Sequence, residues 1–173
     1  MFCFAGAFNC SSQSHSILRP SPYPLAQLTE RRRGNELYKA RKFGQAMKHY
    51  STALSIVEFV VAQNPLDQEE VEKNRVLCLL NIAAAHLALA EHGAAAKRCT
   101  EALALEPGNV KALLRRAKAF IGRAEYASAR ADLAAVRELD PWNEEAADEE
   151  ARCARAEQAG RSADRSTFGG SLK

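Results

Sequence analysis

Arg31 and Asn35 stand four residues apart, Lys111 and Arg115 repeat that spacing, and Asn81 lies between the two pairs. On a helix, side chains at i and i+4 share one face. If these helices belong to one curved stack, the five side chains converge on a groove with no acid among them. Guanidinium and ammonium groups bind carboxylates through charge-assisted hydrogen bonds, and amides add directional donors. Such a set grips an anionic tail. It contains no nucleophile, general base or metal-ligand cluster, so neither a catalytic residue nor a metal or cofactor is expected.

The elements that must position these residues read as helices. Ala, Leu, Glu, Arg and Lys dominate from Ala26 onward, and hydrophobic residues make up 47% of the 173-residue chain. Helices are expected from Ala26 to Ala40, Phe43 to Ala62, Gln68 (capped by Asp67) to Ala90, His92 to Leu105, Asn109 to Gly122 and Tyr126 to Leu139. Asn143 should cap a last helix to about Gln158, with Glu144, Glu145, Asp148, Glu149 and Glu150 as a solvated face matched to the helix dipole. Residues 160–173 read as a flexible Ser/Gly-rich tail. Residues 1–25 read as a disordered leader or, less simply, a targeting segment. They contain no acid, and Pro22 and Pro24 discourage helix until after Leu25.

Composition excludes several classes. A net charge of +3 without a basic stripe argues against nucleic acid. No apolar run approaches the ~18 residues of a membrane span. Five cysteines lack zinc spacing, and Cys78 and Cys99 fall on apolar helix faces, which fits a reducing compartment. His49 and His92 are isolated, and His86 occupies a packing position. The sequence does not reveal whether the chain self-associates, and a monomer is the default expectation.

Pro107 and Pro141 lie 34 residues apart, as do Ala95 and Ala129, and Leu105 and Leu139. The same offset carries Glu106-Pro107-Gly108-Asn109 onto Asp140-Pro141-Trp142-Asn143. An earlier copy shows in Gly34, Leu37, Ala46, Tyr50 and Ala53, followed by an apparent extension from Val61 to Arg75 of about four turns. Small residues at the crossing and proline at the exit resemble the tetratricopeptide pattern. The implied fold is an all-α, right-handed solenoid of three repeats (about 27–60, 76–109 and 110–143, within 26–143) closed by a capping helix over 144–159.

The motifs Arg31-Arg32-Arg33-Gly34-Asn35-Glu36-Leu37-Tyr38, Leu79-Leu80-Asn81-Ile82-Ala83-Ala84 and Asn109-Val110-Lys111-Ala112-Leu113-Leu114-Arg115-Arg116-Ala117 sharpen the likeness. They resemble the repeat domains of chaperone cofactors of the carboxylate-clamp type, most closely those at the end of large immunophilins. The resemblance implies that Arg31, Asn35 and Asn81 hold the terminal carboxylate of a partner peptide. Lys111 would take the last aspartate's side chain, and Arg115 the same group or a preceding acid. Tyr38 would floor an apolar pocket or pack between helices, and Ala84 and Ala117 would leave room for the peptide backbone. The family usually carries lysine where Arg31 stands. A planar guanidinium is not equivalent, although it still pairs with carboxylates. Of the three neighbouring arginines, i, i+4 spacing to Asn35 selects Arg31.

The implied partners are the Glu-Glu-Val-Asp tails of the ninety- and seventy-kilodalton heat-shock chaperones, bound by a non-catalytic adaptor. Two alternatives are the repeat portion of an immunophilin peptidyl-prolyl isomerase and an organelle-import chaperone receptor. An isomerase domain of that family needs about a hundred residues with strand alternation, which the leader lacks. Ser166-Thr167-Phe168-Gly169-Gly170 resembles short tail motifs that follow such domains.

Overall fold

The computed structural model describes residues 23–59 and 65–168. They form seven helices: α1 (Tyr23–Lys39), α2 (Phe43–Glu58), α3 (Pro65–Ala88), α4 (His92–Leu105), α5 (Val110–Gly122), α6 (Tyr126–Leu139) and α7 (Glu144–Phe168). Each helix packs on its neighbours in sequence, and α5 also touches α3 and α7. The α3, α5 and α7 helices thus form one layer, with α4 and α6 each packed across two of its members. The result is an all-α solenoid of helix pairs.

The sequence repeat is a repeat of hydrogen bonds. At the end of α1, Lys42 N–H bonds the Leu37 carbonyl and Arg41 N–H that of Tyr38. Glu91 with His86, and Glu125 with Phe120, repeat the longer bond after α3 and α5. This is the Schellman closure, which needs a left-handed residue just past the helix. Arg41, Ala90 and Ala124 supply it, at φ 59°, 58° and 59°. Glycine would adopt that conformation with less strain. The exits of α4 and α6 match as well. Asn109 Oδ1 accepts from Ala112 N–H and Asn143 Oδ1 from Ala146 N–H, both at 2.9 Å. Their amide nitrogens reach back to Glu106 and Asp140.

One apolar core runs through the stack. Ala46, Tyr50 and Ala53 of α2 meet Leu79, Leu80 and Ile82 of α3, and the contact continues through Leu103, Leu113, Leu114, Leu133 and Val136 to Ala146 of α7. Small residues let the helices approach, and the larger ones fill the space between pairs. The buried Cys78, Cys99 and Cys153 are free thiols. Burial pushes Cys99 up to about 12, so it is an unreactive core residue.

Several boundaries differ from those expected. α1 begins at Tyr23 rather than after Leu25, because a proline in a first turn lacks only an N–H that would have no helical partner. For the same reason α3 starts at Pro65, and Asp67 lies inside its first turn instead of capping it. α2 ends at Glu58, short of Ala62; residues 60–64 lie outside the described set. α7 does not stop near Gln158 but continues to Phe168. There Arg161 pairs with Glu157 one turn back at 2.8 Å, a bond that favours helix over the expected loose tail. The leader before Tyr23 and the last residues of the Ser166–Gly170 motif fall outside the described residues.

The acid run of α7 is not all solvated. Glu149 is buried and faces Lys118 and Arg152, and Glu145 also reaches Lys118. Glu150 pairs with Arg137. The pairs to Lys118 and Arg137 cross between helices and seat α7 on α5 and α6. Nor are the histidines all isolated: His49 bonds Glu30 at 2.7 Å and His86 bonds Glu91 at 2.6 Å.

Candidate functional site

A cleft of about 230 Å³ opens between α1, α3 and α5. Asn35, Tyr38 and Lys39 of α1 form one wall, Asn81 and Ala84 of α3 a second, and Arg115 of α5 the far side. Tyr50 of α2 lies behind Asn35. Asn81 and Arg115 are equivalent positions of successive repeats, so the stacking of α3 on α5 brings them to one face.

Packing between α1 and α2 sets the wall. A Cβ on Gly34 would lie 2.5 Å from the Tyr50 ring, so only glycine lets that ring pass. Tyr50 is 2% exposed, and its hydroxyl donates to Asn35 Oδ1 at 2.9 Å. Asn81 Nδ2 approaches the same oxygen at 3.5 Å. With its oxygen so engaged, Asn35 has its amide N–H groups left to offer. Burial, aided by nearby Tyr38 and opposed by Arg115, pushes the Tyr50 phenol up to about 12. It remains a neutral donor at physiological pH.

Arg115 is anchored in a similar way. Its Nη1 donates to the Leu80 carbonyl at 2.9 Å, leaving further guanidinium N–H groups for another acceptor. Tyr38 packs edge-on against Phe43 with centroids 5.1 Å apart, and the Arg41 guanidinium lies 6.0 Å from the Phe43 centroid. Tyr38 therefore both packs and lines the cleft. Among the described residues no carboxylate lines the cleft, whereas Lys39 and Arg115 bring two cations. Amide, guanidinium and ammonium donors around an opening this small suit an extended chain bearing carboxylates.

Of the residues singled out in the sequence, Asn35, Asn81, Arg115, Tyr38 and Ala84 come together here. Arg31 and Lys111 do not line the cleft. They sit one turn before Asn35 and Arg115, Arg31 half-buried and Lys111 exposed in the first turn of α5. Ala117 is fully buried, on the side of α5 that faces the apolar core. Lys39 and Tyr50 were missed. Lys39 had a legible signal, since 31, 35 and 39 continue one i, i+4 row. Tyr50 had none, because its role depends on the clearance at Gly34.

Beside the cleft, Arg116 braces three helices. It bonds both oxygens of the buried Asp132 at 2.8 and 2.7 Å and the Thr100 hydroxyl at 3.3 Å. That pairing raises the Arg116 pKa further and keeps this guanidinium out of the groove. Among the described residues, no helix is long and apolar enough to cross a membrane.

No family model matches the chain. FK506-binding protein 59 of Drosophila melanogaster is 31% identical over 121 residues, which are 70% of this chain and 27% of that protein. The chain thus spans about a quarter of this relative's length. The TPR domain of Arabidopsis OM64 superposes with a TM-score of 0.64 at 27% identity, covering 77% of this chain and 98% of that domain. The second TPR domain of human RPAP3, solved in complex with the HSP70 peptide SGPTIEEVD, gives 0.62 at 25% identity over 76% and 97% of the two chains. The 34-residue register, the recurring turns and these likenesses agree: the chain folds as a three-repeat tetratricopeptide domain.

Proposed function

We propose that the chain is a non-catalytic adaptor that holds the acidic C-terminal tails of heat-shock chaperones of the ninety- and seventy-kilodalton classes in the cytoplasm. The observation that carries this reading is the cleft that Asn35, Asn81 and Arg115 line together, with no acid among its described lining residues. Asn35 and Asn81, with Arg31 swinging in from the preceding turn, take the terminal main-chain carboxylate. Lys111 takes the last aspartate's side chain, and Arg115 shares it or holds a preceding acid. Tyr38 and Ala84 accommodate the apolar residue before the terminus. The RPAP3 domain with its HSP70 peptide supports this assignment.

Affinity is expected to be micromolar, roughly −8 kcal/mol, since a short tail loses much freedom for few contacts. Salt should weaken it, because site and tail carry opposite charge. Calorimetry with the peptide SGPTIEEVD and its C-terminally amidated twin tests the reading. Binding of the free acid and loss with the amide are expected; equal binding of both, or of neither, would overturn it. Lys111→Ala should remove most binding while the helical circular-dichroism signal persists.

A second reading has one specific observation behind it. The matched segment is 27% of FK506-binding protein 59. The domain would then be the chaperone-binding part of a longer immunophilin-like protein, and sequencing the transcript upstream separates the two. The role assigned to the cleft is the same in both.

A further inference from the structure

Lys39 occupies a distinctive place in the cleft. It is the last residue of α1 and continues the row of Arg31 and Asn35 by one more turn on the same face. Beyond Asn35 the cleft runs toward the C-terminal end of α1, past Tyr38 to Lys39. Every acid of α1 and α2 is engaged by another cation. Glu30 bonds Arg33 and His49, Glu36 faces Arg32, and Glu58 faces Arg75. Among the described residues no carboxylate pairs with the exposed Lys39, whose ammonium can meet a ligand.

We propose that Lys39 is a specificity-determining residue that reads a carboxylate side chain at the third position from a bound peptide's C-terminus. The proposal rests on the binding role assigned above and adds a subsite to it. Spacing sets the position. Four residues of helix advance about 6 Å, and an extended peptide covers that in about two residues at roughly 3.3 Å each. A terminal carboxylate held at Asn35 therefore places the residue two before it opposite Lys39. Tyr38 and Lys39 line the cleft on that side of Asn35, so the peptide backbone follows Tyr38 and the upstream side chain meets the ammonium. An exposed pair of this kind changes affinity by a small factor and selects ligands by charge.

Lys39 also suits the negative end of the α1 dipole, a purely structural role. A double-mutant cycle separates the two. In the peptide SGPTIEEVD the third residue from the end is glutamate. Replacing it with glutamine should weaken binding about threefold in low salt, and Lys39→Ala should do the same to the unchanged peptide. The two changes together should cost no more than either alone. Lys39→Glu should prefer a peptide with lysine at that position. A full glutamine penalty retained in Lys39→Ala, or no charge-swap preference in Lys39→Glu, would overturn the proposal. Loss of binding on C-terminal amidation in every variant would show that the terminal grip holds even if Lys39 is only structural.

Discussion

The Tyr50 hydroxyl on α2 donates to Asn35 Oδ1 on α1 at 2.9 Å, from a ring that is itself buried. A buried core residue thereby orients an exposed amide at the rim of the cleft. Tyr50→Phe removes this bond and little volume. It should weaken binding of the acid-ended peptide about fivefold and lower stability by about 1 kcal/mol. In an Asn35→Ala background the same change should have no further effect on binding. Calorimetry of the four proteins checks this, and additive losses would mean that Tyr50 acts elsewhere.

Glycines of this chain should respond to alanine with opposite signs. At Gly34 a methyl meets the Tyr50 ring at 2.5 Å, and such overpacking costs about 1–3 kcal/mol, more than the helix-propensity gain of alanine. At Gly93 in α4 nothing lies within 4 Å, so the propensity gain of up to about 1 kcal/mol should appear. Urea denaturation of Gly34→Ala and Gly93→Ala should move the midpoint down and up, respectively. Gly34→Ala should also weaken peptide binding, since it displaces the partner of Asn35.

The Arg116–Asp132 pair joins α5 to α6 with the carboxylate 5% exposed. Removing one member leaves the other charge without its partner. Asp132→Ala should cost about 2–4 kcal/mol, seen as a lower melting temperature. Peptide affinity measured well below that temperature should stay near wild type, because Arg116 faces away from the cleft. A variant that melts like wild type would show the brace to be dispensable.

Stability should fall in alkali. Cys99 is raised from 9.0 to about 12 by burial, and Tyr50 from 10.0 to about 12 for the same first cause. The folded state keeps these protons where the unfolded chain has already released them. Their contribution is complete below pH 9 and is lost as pH climbs toward 12. Urea midpoints should decline over that interval, less steeply in Cys99→Val and, above pH 10, in Tyr50→Phe. Slopes unchanged by either substitution would refute the assignment.

Much of this was legible in the chain because it is local. Schellman turns, asparagine caps and i, i+4 rows each depend on residues within a few positions, and a 34-residue register copies them. That register also explains why Asn81 and Arg115 share a face. Helix ends were less legible, because Pro24, Pro65 and Gly160 weaken helix in general yet are tolerated in a first turn or when cross-helix pairs seat the element.

The sequence by itself thus determined the helices, the repeat and the face that Asn81 and Arg115 share. Only the tertiary structure decided which side chains meet. Tyr50 reaches Asn35 because Gly34 leaves no Cβ in the way. Ala117 falls into the core while Ala84 reaches the cleft, and Lys39 joins the wall as Arg31 stays a turn behind. These outcomes depend on how closely helices approach and at what depth each side chain leaves the contact. Periodicity assigns a residue to a face, but not to a distance.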